Sequence, residues 1–211
     1  ELDIISTNQS VYGYLAVGSG FKVEKFMGSY STTTRAGVGG NNGNKILLNQ
    51  KLYINNFKDI LTNKQINFFN SKIEFIRILK GTNFDYFSEN SIKKFLSEQF
   101  TVTKLTDRMG MRLKGPILDN NKETNIRSEG LIKGVIQVPA DGNPIIMLSD
   151  HGTIGGYPKI GVVISADYDK LVQLPPNAKI KFKLVELNEA EKLFKFYKME
   201  TENLLNQIRW I

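Results

Sequence analysis

The sequence predicts a mainly β protein, a barrel or sandwich with a few short helices. Short runs rich in β-branched and aromatic residues recur along the chain, and Gly, Asn, Asp or Pro separates one run from the next. Only three segments carry helical periodicity. The strand-helix-strand rhythm of a parallel α/β sheet is missing, which favours a barrel or sandwich over a doubly wound fold.

In chain order the expected strands are "VYGYLAV" (11–17), "KILLNQKLYI" (45–54), "KIEFIRIL" (72–79), "FTVTKL" (100–105), "LIKGVIQV" (131–138), "PIIML" (144–148), "KIGVVIS" (159–165) and "AKIKFKLVEL" (178–187). The first expected helix, "SENSIKKFLSEQ" (88–99), spaces Ile92, Phe95 and Leu96 on one face and has Ser88 or Ser91 to cap it. The second, "SADYDKLVQL" (165–174), allows a turn or two. The third runs from about Asn188 to Gln207, with Ala190, Leu193, Phe194 and Tyr197 on one stripe and a capping box expected from Asn188 and Glu191. A boundary is expected at the Gly-Thr-Asn turn in "LKGTNFDYF" (79–87). Residues 1–82 then form the remainder of a β-rich N-terminal unit that opens with an acidic, strand-like stretch, and residues 83–211 form a β-barrel domain with a C-terminal helix.

Composition narrows the chemistry. With 41% hydrophobic and 23% charged residues, the 211-residue chain has the content of a folded protein. No apolar run reaches the roughly 18 to 20 residues of a membrane span and no secretion signal opens the chain, so a cytoplasmic protein without membrane contact is expected. The absence of cysteine excludes disulfides and thiolate catalysis, and a single histidine, His151, excludes a histidine-cluster metal site. The net charge of +7 is dispersed among acids, as in "NEAEKLFKFYKMETEN" (188–203), so nucleic acid is not an expected partner. Carboxylates, Arg, Lys, hydroxyls and backbone amides remain.

Three stretches could use them. "GSYSTTTRAGVGGNNGNK" (28–45) offers hydroxyls, Arg35 and clustered glycines; it reads as an anion-binding nest or as a surface loop that needs positive φ, and its spacing is not that of a Walker loop. In "TDRMGMRLKGP" (106–116), an extended strand would project Arg108 and Arg112 from one face on either side of Gly110, leaving a gap for a carboxylate or phosphoryl group. Alternatively Gly110 marks a bulge and the arginines pair with surface acids. "SDHGTIGGYPKIG" (149–161) sets Asp150 and His151 at a strand end before Thr153 and the Gly155–Gly156 pair. The imidazole is either a general base or incidental, since neighbouring residues on a strand point to opposite faces.

In this order these stretches resemble the allophanate hydrolase subunit 2 family, also described as the family of biotin-dependent carboxyltransferases or of the 5-oxoprolinase C subunit. The resemblance runs from about Tyr12 to Glu186 through "YLAVGSGF", "MGSYSTTTRAGVGG", "TDRMGMRLKGP", "SEGLIKGVIQVPADGNPI" and "SDHGTIGGYPKIGVVISADYDKL". It implies a cyclophilin-like β-barrel and a component of an ATP-dependent amide- or lactam-processing hydrolase complex, foremost one that opens 5-oxoproline to glutamate. The alternatives are the carboxyltransferase component of a biotin-dependent urea carboxylase or allophanate hydrolase system, and a non-catalytic regulatory binding module. The implied partners are a homologue of the 5-oxoprolinase B subunit or of allophanate hydrolase subunit 1, the lactam-utilisation A subunit, and a small amide substrate. ATP would act through the complex and biotin would be carried by a partner, because the chain has neither a nucleotide loop nor a biotinylation motif of its own.

Carried onto this chain, the resemblance implies a catalytic set of Arg108, Arg112 and Asp150. It further implies substrate contacts from Ser31, Thr32, Arg35, Gly110, Glu129, Gln137, Thr153, Gly155, Gly156 and Tyr157. On that reading the arginines neutralise an anionic group, amides at Gly155–Gly156 complete the donor set, and His151 stands at the rim. The chain departs from the family pattern at Tyr30, Asn44, Asn49–Gln50 and Gly152, and it lacks the family's opening segment of about 85 residues, so it is expected to be a portion of the full protein.

Overall fold

The computed structural model of the chain describes residues 10–56, 74–122 and 125–207. The acidic opening stretch, and Lys72 and Ile73 at the head of one expected strand, lie outside the described residues. The chain divides into two compact units, one of residues 1–12 and 66–211 and the other of residues 13–65.

The larger unit is built on an eight-stranded sheet. Its strands are β1 (Ile76–Lys80), β2 (Phe100–Val102), β3 (Gly110–Lys114), β5 (Val135–Gln137), β6 (Ile145–Met147), β8 (Lys159–Val163), β9 (Lys179–Ile180) and β10 (Phe182–Leu184). The two intervening strands, β4 (Glu129–Gly130) and β7 (Ile154–Gly155), pair with each other as a separate ribbon. The sheet is ordered β10-β1-β8-β5-β6-β3-β2-β9, and all neighbours are antiparallel except β1 and β10. Only Lys181 separates β9 from β10, so one short segment supplies both outer strands and the sheet curls into a nearly closed barrel. A bond from Ile76 N to Lys181 O at 2.8 Å marks the seam. The mainly β, barrel-like fold expected from the sequence is therefore the fold observed.

Alternation sorts the side chains. Met111 and Leu113 of β3, Ile136 of β5, Ile146 of β6 and Ile160 of β8 enter the barrel core. Helix α1 (Glu89–Ser97) packs Phe95 onto that core, 4.6 Å between ring centroids from Phe182 and 5.9 Å, edge-on, from Phe100. Of the two candidate caps Ser88 serves, accepting from Ser91 N at 3.1 Å, whereas the buried Ser91 hydroxyl accepts from Asp119 N at 2.7 Å. Helices α2 (Ser165–Val172) and α3 (Leu187–Gln207) form a second cluster with Ile164, Ala166, Val185, Ala190, Leu193 and Tyr197. Because α3 starts at Leu187, Asn188 lies inside its first turn and the expected capping box with Glu191 does not form. No helix among the described residues is long and apolar enough to cross a membrane.

The strand expected near 72–79 lies in this sheet between β8 and β10, so it belongs to the barrel and not to the N-terminal unit in which a boundary at 82 would place it. Val11 and Tyr12 are not in a strand either; both backbone N–H groups donate to Gln173 Oε1, at 3.1 and 2.8 Å.

In the smaller unit, residues 13–56 form turns and isolated bridges (Phe21–Ile54, Phe26–Ser29, Thr33–Val38) instead of the expected strand at 45–54. Only Gly40 and Gly43 are buried there, while Tyr14, Met27 and Leu48 are more than nine-tenths exposed. A unit this short has too little chain to enclose an apolar core, so its alternating pattern has nothing to pack against within the unit.

Candidate functional site

The outer face of the barrel sheet carries the polar residues. Arg112 of β3 is opposite Ile145 of β6, Ile145 is opposite Gln137 of β5, and Gln137 is opposite Lys159 of β8. Directly opposed residues of antiparallel strands share a face, so Arg112, Gln137 and Lys159 form one row across four strands, spanning about 14 Å at the usual strand spacing. A register shift after Ile136 lets Lys159 face outward while its neighbour Ile160 enters the core.

The β4–β7 ribbon lies against this row. It is extended by bonds from Leu131 N to Thr153 O at 2.9 Å and from Ile126 N to Gly156 O at 2.8 Å. Leu131 anchors it on Val135 and Met147 of the sheet. The Gln137 amide, 4% exposed, donates to Tyr157 O at 3.2 Å. Lys159 Nζ donates to Glu129 Oε2 at 2.7 Å, with 5% of the lysine side chain and 46% of the glutamate side chain exposed. Glu129, Gln137, Gly155, Gly156 and Tyr157, scattered over nearly thirty positions of sequence, thus meet at one place.

The glycines there are closely surrounded by protein atoms. A Cβ on Gly155 would lie 2.6 Å from Gln137 Nε2 and 2.8 Å from Leu131 Cδ1, and one on Gly156 would lie 3.1 Å from Ile126 O. Protein atoms stand where side chains on these glycines would lie.

The arginine stretch also differs. Asp107 Oδ1 accepts from Met109 N at 2.9 Å and Gly110 N at 3.1 Å, and this local turn displaces the strand, which begins only at Gly110. Arg108 therefore sits in a bend and does not alternate with Arg112 along one strand. Its Nε donates to Asp150 Oδ2 at 2.6 Å and its Nη2 to Asp150 Oδ1 at 3.0 Å. Bonds from Asp150 N to Arg108 O at 2.9 Å and from Leu148 N to Met109 O at 3.0 Å bring the two loops together. The hydrogen bond from Arg108 holds the Asp150 carboxyl below its ordinary value. The gap expected at Gly110 is filled, since a Cβ there would meet Ile145 Cγ2 at 2.9 Å. Arg112 is exposed, and its guanidinium makes no hydrogen bond or ion pair with a described residue.

His151 Nδ1 lies 2.6 Å from Gly152 O, a local contact. In the smaller unit, Thr32 Oγ1 donates to Gly40 O at 2.9 Å and Ser31 N donates to Ser29 Oγ at 3.1 Å, so both residues shape their own loop. Arg35 lies exposed in the same loop. A Cβ on Gly43, at φ +73°, would lie 2.0 Å from Gly37 C; that glycine lets the loop close on itself.

Sequence reasoning missed Lys159. A lysine directly after Pro158, at the head of a β-branched run, signals a charge entering a buried strand, but only the cross-strand register shows that Gln137 and Glu129 receive it.

The chain is 34% identical over 201 residues to the C subunit of 5-oxoprolinase from Escherichia coli (strain K12), covering 93% of this chain and 62% of that protein. It is 35% identical over 202 residues to the C subunit of the Haemophilus influenzae 5-oxoprolinase, covering 95% and 63%. The chain thus spans somewhat less than two thirds of these relatives' length. In fold it is similar to the crystal structure of Kluyveromyces lactis urea carboxylase, with a TM-score of 0.73, 24% identity, and coverage of 88% of this chain and 19% of that one. The barrel with its ribbon-covered outer face, these relatives, and a match over residues 1–184 to the carboxyltransferase domain, subdomain A and B, lead to one conclusion: the chain belongs to that carboxyltransferase-domain family.

Proposed function

We propose that the chain is the substrate-handling portion of a 5-oxoprolinase C subunit, working with partner subunits in the ATP-dependent opening of 5-oxoproline to glutamate. The observation that carries this reading is the identity of 34% and 35% to two proteins of that name, spread over 93% and 95% of the chain. The partners proposed are a homologue of the B subunit together with the lactam-utilisation A subunit.

The chemistry of the outer face suits a small amide that carries a carboxylate. Arg112 presents a planar fork to solvent, and such a fork holds a carboxylate by two parallel N–H···O bonds. The ribbon supplies a carboxylate at Glu129, and the barrel sheet an ammonium at Lys159 beside the Gln137 amide. Arg108, engaged by Asp150, is a tether between loops on this reading, which moves the weight of the arginine role to Arg112.

ATP is proposed to bind on a partner. The glycine-rich loop has no Walker spacing and Gly43 packs against its own loop, which fits a self-supporting turn better than a phosphate cradle. A second reading, carboxyl transfer from biotin carried by a partner, is favoured by the description of the family itself.

The test is reconstitution. The full-length protein, mixed with homologues of the A and B subunits and ATP, should form glutamate from 5-oxoproline. No glutamate, together with carboxylation of urea in the presence of carboxybiotin, would replace the first reading by the second.

A further inference from the structure

Lys159 and Glu129 form an ion pair on the outer face of the barrel. An ammonium left 5% exposed has lost most of its hydration, and an apolar pair of similar volume would serve packing as well or better. Each partner also keeps unused capacity. Glu129 Oε1 takes no hydrogen bond from a described residue, and Nζ donates a hydrogen bond only to Glu129 Oε2 although it carries three N–H bonds. An acceptor on the half-exposed Glu129 and a donor on the buried Lys159 therefore stand side by side.

We propose that the Glu129–Lys159 pair reads the N–H and C=O edge of a cyclic amide, with Glu129 Oε1 accepting the ring N–H and Lys159 Nζ donating to the ring carbonyl oxygen. In a lactam the ring forces N–H and C=O to the same side, so its edge offers one donor and one acceptor in adjacent positions. An open-chain secondary amide is trans and points the two in opposite directions. A carboxylate and an ammonium in contact complement the first arrangement and not the second. Gln137, opposite Lys159 in register, and Gly155, whose missing side chain leaves room for the Gln137 amide, hold the pair in place. The inference deepens the 5-oxoprolinase reading and rests on it.

The test uses the full-length protein with its partner subunits and measures binding of 5-oxoproline and of N-methyl-5-oxoproline by calorimetry, alongside KM and kcat. The double variant Lys159→Met/Glu129→Leu replaces the ion pair by apolar groups, so it keeps the fold while removing the recognition. The wild type should reject the N-methyl lactam by about 10–100-fold, the strength of a hydrogen bond to a charged group, and the folded double variant should lose both affinity and discrimination. A folded double variant that binds 5-oxoproline as the wild type does, or a wild type indifferent to N-methylation, would overturn the inference and leave the lactam reading standing. A wild-type complex that binds no lactam at all would overturn both.

Discussion

Asp167 receives three hydrogen bonds from Arg77: one from its backbone N at 2.8 Å, one from Nε at 2.9 Å and one from Nη2. This fork fastens α2 to β1, and the hydrogen bond to Asp167 is the main cause that raises the Arg77 pKa. The carboxylate is buried, so Asp167→Ala strands a partly buried guanidinium and should cost about 3–5 kcal/mol in urea unfolding. A loss below about 1 kcal/mol, the range of an exposed pair, would show that water replaces the carboxylate without penalty.

The Arg108–Asp150 tie has a pH signature. Its carboxyl pKa is lowered in the fold, so the tie contributes fully above the ordinary aspartate value of about 3.9 and is lost as pH falls through the lowered value. Neutral pH should leave the tie intact, and NMR titration of the Asp150 carboxyl should place its midpoint below the ordinary range. Arg108→Gln should return it to that range. Both side chains are more than one third exposed, so global stability should hardly respond.

Gly155, opposite Glu129 in the ribbon, and Gly130, opposite Ile154, carry opposite expectations. A methyl group on Gly155 would collide with Gln137 and Leu131, whereas one on Gly130 would meet nothing within 4 Å. Gly155→Ala should cost about 1–3 kcal/mol by overpacking and weaken substrate binding. Gly130→Ala should be near neutral in the same denaturation experiment. Equal effects would mean that the ribbon moves as easily as its exposure suggests.

Arg112 and Arg108, which the sequence suggests as equals, should separate in kinetics. Arg112→Gln should raise KM for 5-oxoproline in the reconstituted complex by about 10–100-fold, the loss of a charge-assisted hydrogen bond. Arg108→Lys, which keeps the charge beside Asp150, should change KM far less. The reverse order would return the carboxylate contact to Arg108.

Ser88 offers a local check. Its hydroxyl caps α1, so Ser88→Ala should cost about 1 kcal/mol in thermal unfolding. Ser91→Ala should also destabilise, because Asp119 N loses its acceptor.

Much of this fold can be read one segment at a time. Ser88 with the Ile92, Phe95 and Leu96 spacing locates α1, and the β-branched runs locate most barrel strands, because capping and alternation are local properties. The ribbon is harder, since two-residue strands carry no alternation to detect. Arg108 departs from its expected place because the Asp107 side chain competes with the ladder for the amides of Met109 and Gly110. Gly110 and Gly155 each have no room for a side chain because of a residue on another strand, and that neighbour is set by register. Lys159 becomes visible only beside Gln137 and Glu129 for the same reason.

The joining of both outer strands through Lys181 sets an order on biosynthesis. Until residues 179–184 leave the ribosome, β1 and β2 each present an uncovered row of amides and carbonyls, and nascent chains held at that stage can pair with one another. Translation pausing ahead of this segment would therefore favour aggregation, and passing it removes both sticky borders at once.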